Sequence, residues 1–148
     1  MPKIPIFAAL LIFSFLLVVF TFSYNYISVS DSDNDTTLKN VARNAMTEAV
    51  NYGNLRVNEE LTINEEVAVE AAVRLYAASS DFEDGGRYLN VAAVSSNPPM
   101  IALDSYTEIN TPMKNTLNKI RNKTKAIEPN VTRSREVIIY EAKSRTKP

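Results

Sequence analysis

The stretch IPIFAALLIFSFLLVVFTFSYNY, residues 4–26, decides the architecture of this chain because it carries no charge over 23 positions. A helix needs roughly 20 mostly apolar residues to cross the hydrocarbon core of a bilayer. Pro5 suits the first turn of a helix, and Tyr24 and Tyr26 fall where an interfacial aromatic belt would place them. The stretch predicts a membrane-spanning helix, with the lipid bilayer as the partner of residues 4–26.

The charges on either side of this run predict its orientation. Lys3 precedes it, whereas Asp31, Asp33 and Asp35 follow it. The excess of positive charge on the cytoplasmic side of membrane helices then predicts a cytoplasmic N-terminus. We therefore expect a single-pass protein of the cell membrane, with an anchor over residues 1–30 and an extracytoplasmic domain over residues 31–148.

A cleaved signal peptide is the alternative interpretation of the same run. The tripeptide SVS, residues 28–30, offers small residues at the −3 and −1 positions of a cleavage site. Signal peptides have apolar regions of about 7–15 residues, and this run is longer. Retention as a membrane helix is favoured, and in either case residues 31–148 face the same compartment.

The three aspartates also copy the D-x-D-x-D start of an EF-hand calcium loop. Such a loop needs Gly at its sixth position and a bidentate Glu at its twelfth. Those positions hold Thr36 and Ala42 here, so the pattern fails at both. We interpret the segment as a solvated spacer and the start of a helix, capped by Asp35 or Thr36.

Composition excludes most catalytic chemistry. The chain of 148 residues has no His and no Cys, which removes His-dependent nucleophiles, the usual zinc ligands, disulfides and thiol redox chemistry. Its three glycines form no phosphate-binding G-x-x-x-x-G-K loop, and its net charge of −1 provides no general attraction for nucleic acid. A Ser-Lys nucleophile pair remains open in principle, but no motif marks one. We expect a non-enzymatic protein without cofactor, metal or nucleic-acid partner.

The clearest helical periodicity follows the aspartates. Apolar residues recur at steps of three and one over residues 38–50, which is typical of one apolar helix face. Gly53 lies near the expected end of this helix. The small side chains suit close packing, either inside the domain or against a neighbouring copy, so the face is a candidate for helix association. It comprises Leu38, Val41, Ala42, Ala45, Met46, Ala49 and Val50.

The rest of the chain predicts one more helix followed by mostly extended segments. Thr62 and Glu65 have the spacing of a capping box, so a helix is expected from Thr62 to the polar sequence SSDFEDGG. Extended runs at residues 88–95 and 101–109 flank SNPP and predict a hairpin. A β-branched run within residues 132–144 predicts a third strand. The fold class is therefore α+β, with two or three amphipathic helices packed on a small antiparallel sheet of about three strands.

A basic segment lies between the second and third predicted strands. Thr111 and Pro112 predict the start of a helix, and Met113, Leu117, Ile120 and Ile127 supply its apolar stripe. A solvated face would account for the remaining charges; contact with anionic lipid or with an anionic envelope polymer is the functional alternative. This candidate anion-contact face, which we call the basic face, comprises Lys114, Lys119, Arg121, Lys123 and Lys125.

Two further patterns carry little weight. Asp81, Glu83 and Asp84 provide oxygen ligands in a loop, but they match no metal-binding spacing. N-x-T sequons at Asn34, Asn122 and Asn130 are expected by chance in an Asn-rich chain. Neither pattern predicts a site.

The order of these elements resembles a known class of protein. A short N-terminus and one membrane helix are followed by the amphipathic segment TTLKNVARNAMTEAV, another helix and a small sheet containing NPPMIALDSY. This order is similar to that of the pilin-like membrane proteins of Gram-positive bacteria, in particular the minor pseudopilins of tight-adherence (Tad) pilus systems. The resemblance implies an N-terminal helix that packs among other pilin helices, and a role in priming or regulating a filament. It assigns a function to no single residue.

Two functional hypotheses follow. The first is an assembly component of a surface or pilus-like apparatus, which would associate through its membrane helix and the apolar face of residues 38–50. The second is a membrane-anchored envelope-binding module that contacts anionic polymer or lipid through its basic face. Salt separates them, because screening weakens exposed charge contacts far more than apolar packing.

Overall fold

The computed structural model describes residues 3–79, 86–109 and 130–141. Within these ranges the fold is α+β, as expected from the sequence. The described elements, in chain order, are α1 (Lys3–Ala49), α2 (Tyr52–Asn58), α3 (Glu65–Ser79), β1 (Arg87–Ser95), β2 (Met100–Ile109) and β3 (Asn130–Ile139). The three strands form one antiparallel sheet in the order β1-β2-β3.

The helix α1 is continuous from the apolar run into the domain. Its 47 residues span about 70 Å at a rise of 1.5 Å per residue. The expectation of a spacer at the aspartates, with a new helix capped by Asp35 or Thr36, was therefore wrong. No Gly or Pro occurs between Pro5 and Gly53, and the low helix propensity of Asp, Asn and Ser is a weak preference that packing overrides.

The second half of α1 packs against α3 and the sheet. Most of the buried side chains between α1 and α3 are alanines, and such small side chains let two helices approach closely. These core alanines are Ala42, Ala45, Ala49, Ala68, Ala71 and Ala72. The larger Leu38, Met46, Ile101 and Leu103 are fully buried and fill the space toward the sheet. The core of the domain therefore lies between one face of α1 and its two neighbours.

The chain between α1 and α3 reverses direction through a short bridged segment. Val50 pairs with Ile63, and the amide of Asn64 donates to the carbonyl of Ala49 over 2.8 Å. Asn51 caps α2 by accepting a hydrogen bond from the amide of Asn54. Gly53 lies inside α2 and not at the end of α1.

The cap of α3 differs from the expected capping box. The side-chain oxygen of Asn64 accepts hydrogen bonds from the amides of Glu66 and Val67, at 3.1 and 3.3 Å. Thr62, the predicted cap, instead accepts a hydrogen bond from the Asn54 amide group, and Glu65 accepts one from the backbone of Ser96. Asn is as good an N-cap as Ser or Thr, and the tertiary contacts of Thr62 and Glu65 move the helix start to Glu65.

The expected hairpin is present, with β1 and β2 joined by the turn at residues 96–99. The predicted alternation in β2 is confirmed, because one face of the strand is buried against the helices. This face carries Ile101, Leu103, Ser105, Thr107 and Ile109. It changes from apolar to hydroxyl-bearing between Leu103 and Ser105, which places a polar zone inside the domain. The third predicted strand also forms, as β3, but it begins at Asn130.

Two features of the sequence lie outside the described ranges. These are the helix predicted after Thr111 with its basic face, and the acidic loop that contains Asp81, Glu83 and Asp84. They stay predictions from the sequence.

Candidate functional site

The first half of α1 projects from the domain with apolar side chains on every side. Phe7 is 70% exposed and Phe22 is 73% exposed, and the large apolar residues between them are also exposed except for Val19, which is partly exposed. Among the described residues, α1 is the one helix that is long and apolar enough to cross a membrane, and none of its apolar window is buried in the domain. A continuous apolar surface of this kind marks contact with lipid or with another protein. The chain is thus compatible with a single-pass membrane protein.

The hydroxyl groups inside the projecting helix are satisfied by the helix itself. Thr21 Oγ1 donates to the carbonyl of Leu17 over 2.9 Å, and Ser23 Oγ donates to the carbonyl of Val19 over 3.0 Å. Polar groups in hydrocarbon must find partners within the protein. The two hydroxyls therefore do not oppose burial of this segment in lipid.

A buried polar cluster lies where α1 enters the domain. Asn34 is fully buried, and its Oδ1 accepts hydrogen bonds from Ser105 Oγ over 3.0 Å and from Tyr76 Oη over 3.3 Å. Its Nδ2 donates to Ser134 Oγ over 3.3 Å. One side chain thus ties α1 to α3, β2 and β3. We call Asn34, Tyr76, Ser105 and Ser134 the polar hub.

An ion pair beside the polar hub joins α1 to the first strand. Arg87 Nη2 lies 2.9 Å from Asp33 Oδ2; the Arg87 side chain is only 9% exposed, whereas that of Asp33 is 53% exposed. Asp33 and Asn34 are adjacent on α1. Through these two side chains α1 contacts all three strands of the sheet and helix α3. These contacts, together with the packing of residues 38–49, hold the projecting helix in one orientation relative to the domain.

Replacing Asp33 by Ala is expected to lower the free energy of unfolding by about 1–2 kcal/mol. The change leaves the largely buried Arg87 guanidinium without this carboxylate. Because Asp33 is half-exposed, the loss of stability is expected to be smaller than the roughly 3–5 kcal/mol for breaking a fully buried ion pair. Urea unfolding of the full chain in detergent micelles, followed by circular dichroism, measures it. Asp31→Ala is the matched control, since Asp31 is exposed and pairs with no described residue. Equal losses in the two variants would contradict the assignment.

The structure places the predicted association face inside the domain. Six of its residues, from Leu38 to Ala49, belong to the buried core, and Val50 packs against that core. The sequence allowed this face to pack either inside the domain or against a neighbouring copy. The structure shows packing inside the domain, so the buried residues of the face are not available to another copy. The reason is its complementarity to the alanines of α3. The basic face lies outside the described residues, so the structure does not bring it together with any other site.

The buried position of Asn34 is not predicted by the sequence patterns, in which this residue belongs to the spacer and to an N-x-T sequon. The signal that identifies it is spacing: Asn34 precedes Leu38 by four residues and so continues the same buried stripe. A polar residue at such a position points to a buried hydrogen-bonding group. Its burial also leaves the sequon at Asn34 inaccessible to glycosylation.

Within the described residues, no three acidic side chains converge to hold a metal ion. Asp33 pairs with Arg87, and all three aspartates are exposed to solvent. The D-x-D-x-D pattern is therefore part of a continuous helix and does not form a loop.

Comparison with known proteins identifies the family of the chain. The model of a family described as a domain of unknown function (DUF5411) matches residues 1–133. The chain belongs to this family. The match includes the apolar half of α1 together with the domain as far as β3, so the two parts occur as one unit in DUF5411. No curated protein and no solved structure matches the chain.

Proposed function

We propose that this DUF5411 protein is a non-enzymatic, single-pass membrane protein that serves as an assembly component of a surface or pilus-like apparatus. Its N-terminus is cytoplasmic, its helix is retained, and its α+β domain is extracytoplasmic. The observation that supports the proposal is the division of α1: the apolar first half projects with its side chains exposed, and one face of the second half belongs to the core of the domain.

The rigid connection favours assembly over simple tethering. A tether needs only a flexible linker after the membrane helix, whereas here the helix enters the domain without Gly or Pro and is held there by the polar hub. Helices that pack side by side through their projecting halves would then hold their domains in a defined arrangement. This is the use of the N-terminal helix that the resemblance to minor pseudopilins implies.

The alternative function is binding of an anionic envelope polymer or lipid through the basic face. Its support is the charge pattern, five Lys and Arg with no acid in residues 111–127. Exposed contacts of this kind weaken strongly with salt. The alternative therefore predicts a partner that is lost at high ionic strength.

The test is gentle detergent extraction of the C-terminally tagged full chain from its native membrane, followed by mass spectrometry of the proteins that co-purify. The informative variant is Phe13→Leu with Phe20→Leu, two exposed residues seven positions apart on one side of the projecting helix. The variant keeps the segment apolar and so keeps it in the membrane, but it changes the shape that a neighbouring helix would contact. Leu10→Ile, an exposed position with unchanged volume, is the control.

Assembly predicts recovery of pilin-like chains, a secretion-type ATPase or a polytopic platform protein, with recovery reduced in the double Phe variant and unchanged by salt. Recovery of the protein alone would contradict the proposal. Recovery of an anionic polymer that is lost at high salt, or in a variant with Lys114, Lys119 and Lys123 replaced by Gln, would establish the alternative.

A further inference from the structure

The strands of the sheet run nearly along the axis of α1, as two pairs of contacts show. Ser134 of β3 contacts Asn34, and Tyr140, just after β3, contacts Thr47 with its hydroxyl over 3.3 Å. Six strand residues separate Ser134 from Tyr140, which is about 20 Å. Thirteen helix residues separate Asn34 from Thr47, which is also about 20 Å. Strand β3 and the second half of α1 therefore run side by side in the same direction over about 20 Å.

The other end of the sheet extends from the polar hub toward the N-terminus of α1. Asn130 lies four strand residues before Ser134, or about 13 Å, and it pairs with Ile109 at the end of β2. The same distance along α1 covers about nine residues. The ends of β2 and β3 thus lie at the level of Asn25 and Tyr26, where the apolar run finishes. We call this the proximal end of the sheet.

Burial along α1 supports this placement. Ile27 and Ser30 lie on the same side of the helix as Asn34, at spacings of seven and four residues, and both are partly buried. Val29, on another side of the helix, is 68% exposed. The domain therefore covers α1 down to about residue 27 on one side, in agreement with the distances along the strands.

We propose that the proximal end of the sheet rests in the phospholipid headgroup layer of the membrane that α1 spans. The inference depends on the membrane-spanning role proposed above. About 20 residues of α1 fill the hydrocarbon core, and the headgroup regions add roughly 5–8 Å on each side. A core filled by residues 5–24 places Asn25 and Tyr26, and with them the ends of β2 and β3, among the headgroups.

Two exposed residues of β3 at this end suit a headgroup layer. Val131 is 47% exposed and uncharged, and Arg133, two residues further from the membrane on the same face of β3, is also exposed. An arginine at this height can contact lipid phosphates while the valine lies deeper. The bilayer surface is the occupant that this placement favours, because the paired ends of β2 and β3 lie level with the residues of α1 at which the apolar run finishes.

The absence of cysteine from the chain permits a direct test with single-cysteine variants. Val131→Cys and Ile139→Cys place one fluorescent label each at exposed positions on the same face of β3, eight residues or about 26 Å apart. The full-length protein is reconstituted in vesicles of phosphatidylcholine and phosphatidylglycerol that contain lipid with a quencher on its headgroup. We expect quenching at position 131 to exceed that at position 139 several-fold.

A third label separates failure of this inference from failure of the membrane span. Leu16→Cys, at a 58% exposed position in the middle of the apolar run, reports insertion through a quencher on the acyl chain. Quenching at Leu16 with equal, weak headgroup quenching at positions 131 and 139 would overturn the inference and leave the span intact. A label at 131 that is shielded from water but not quenched would also overturn it, because a protein would then cover this end. Absence of quenching at Leu16 would refute the span and the inference together.

Discussion

Replacing Leu11 and Leu16 by aspartate is expected to prevent stable integration of the chain into a membrane. Both residues lie near the middle of the uncharged run and are about 60% exposed in the structure, so neither change disturbs the domain. An aspartate at the centre of a membrane helix costs about 2.5–3.5 kcal/mol, whereas leucine favours insertion. Two replacements together cost roughly 6–8 kcal/mol, or at least a 10⁴-fold change in partitioning.

Resistance of the full chain to extraction by alkaline carbonate measures this integration. The control is Val57→Asp with Val73→Asp, which adds the same charge at exposed positions of the domain. The control variant should stay in the membrane fraction, and the Leu11 and Leu16 variant should not. Retention of both variants would show that another part of the chain attaches it to the membrane and would contradict the role of α1.

The second large effect is expected for Asn34→Ala, which should destabilise the domain by roughly 2–4 kcal/mol. The change removes the amide oxygen that accepts hydrogen bonds from Ser105 and Tyr76, and the amide nitrogen that donates to Ser134. Asn34 is fully buried, so water does not replace these hydrogen bonds directly. A buried polar group left without its partner costs about 1–3 kcal/mol, and the neighbouring hydroxyls can recover part of that by bonding to each other. The loss is a large fraction of the 5–15 kcal/mol typical of a folded domain.

Urea unfolding of the full chain in micelles measures this loss. Asn40→Ala is the matched control, since Asn40 is exposed on the same helix and Ala has the higher helix propensity. It should be neutral or slightly stabilising. If the two variants were equally stable, the polar hub would not hold α1 in the domain, and the rigid link proposed between membrane and domain would lose its basis.

Local patterns were sufficient for much of the fold. The uncharged run predicted a membrane-compatible helix, because burial in hydrocarbon depends on the composition of a segment and not on its neighbours. The alternation in β2 around Leu103 and Ser105 predicted the buried face, and Pro98 and Pro99 predicted the break between strands. The helical stripe from Leu38 predicted which side chains would be covered, although not what would cover them.

The residue that caps α3 could not be predicted from the sequence and is identified only by the tertiary structure. Thr62 and Glu65 match a capping box, but contacts with Asn54 and Ser96 occupy both side chains, and Asn64 caps the helix. Such competition between local and distant partners cannot be read from spacing, since both partners make hydrogen bonds of similar strength.

An apolar helix of membrane length ahead of a small α+β domain follows from the amino-acid sequence without the structure. That conclusion depends only on the number of uncharged residues and on short periodic patterns. Three further features are visible only in the folded chain: α1 continues through three aspartates into the domain, the face of residues 38–50 packs in the core, and Asn34 is buried. The physical reason is that helix continuity across polar residues depends on what packs against one side of the helix, and here α3, β2 and β3 supply the partners that Asn34 needs.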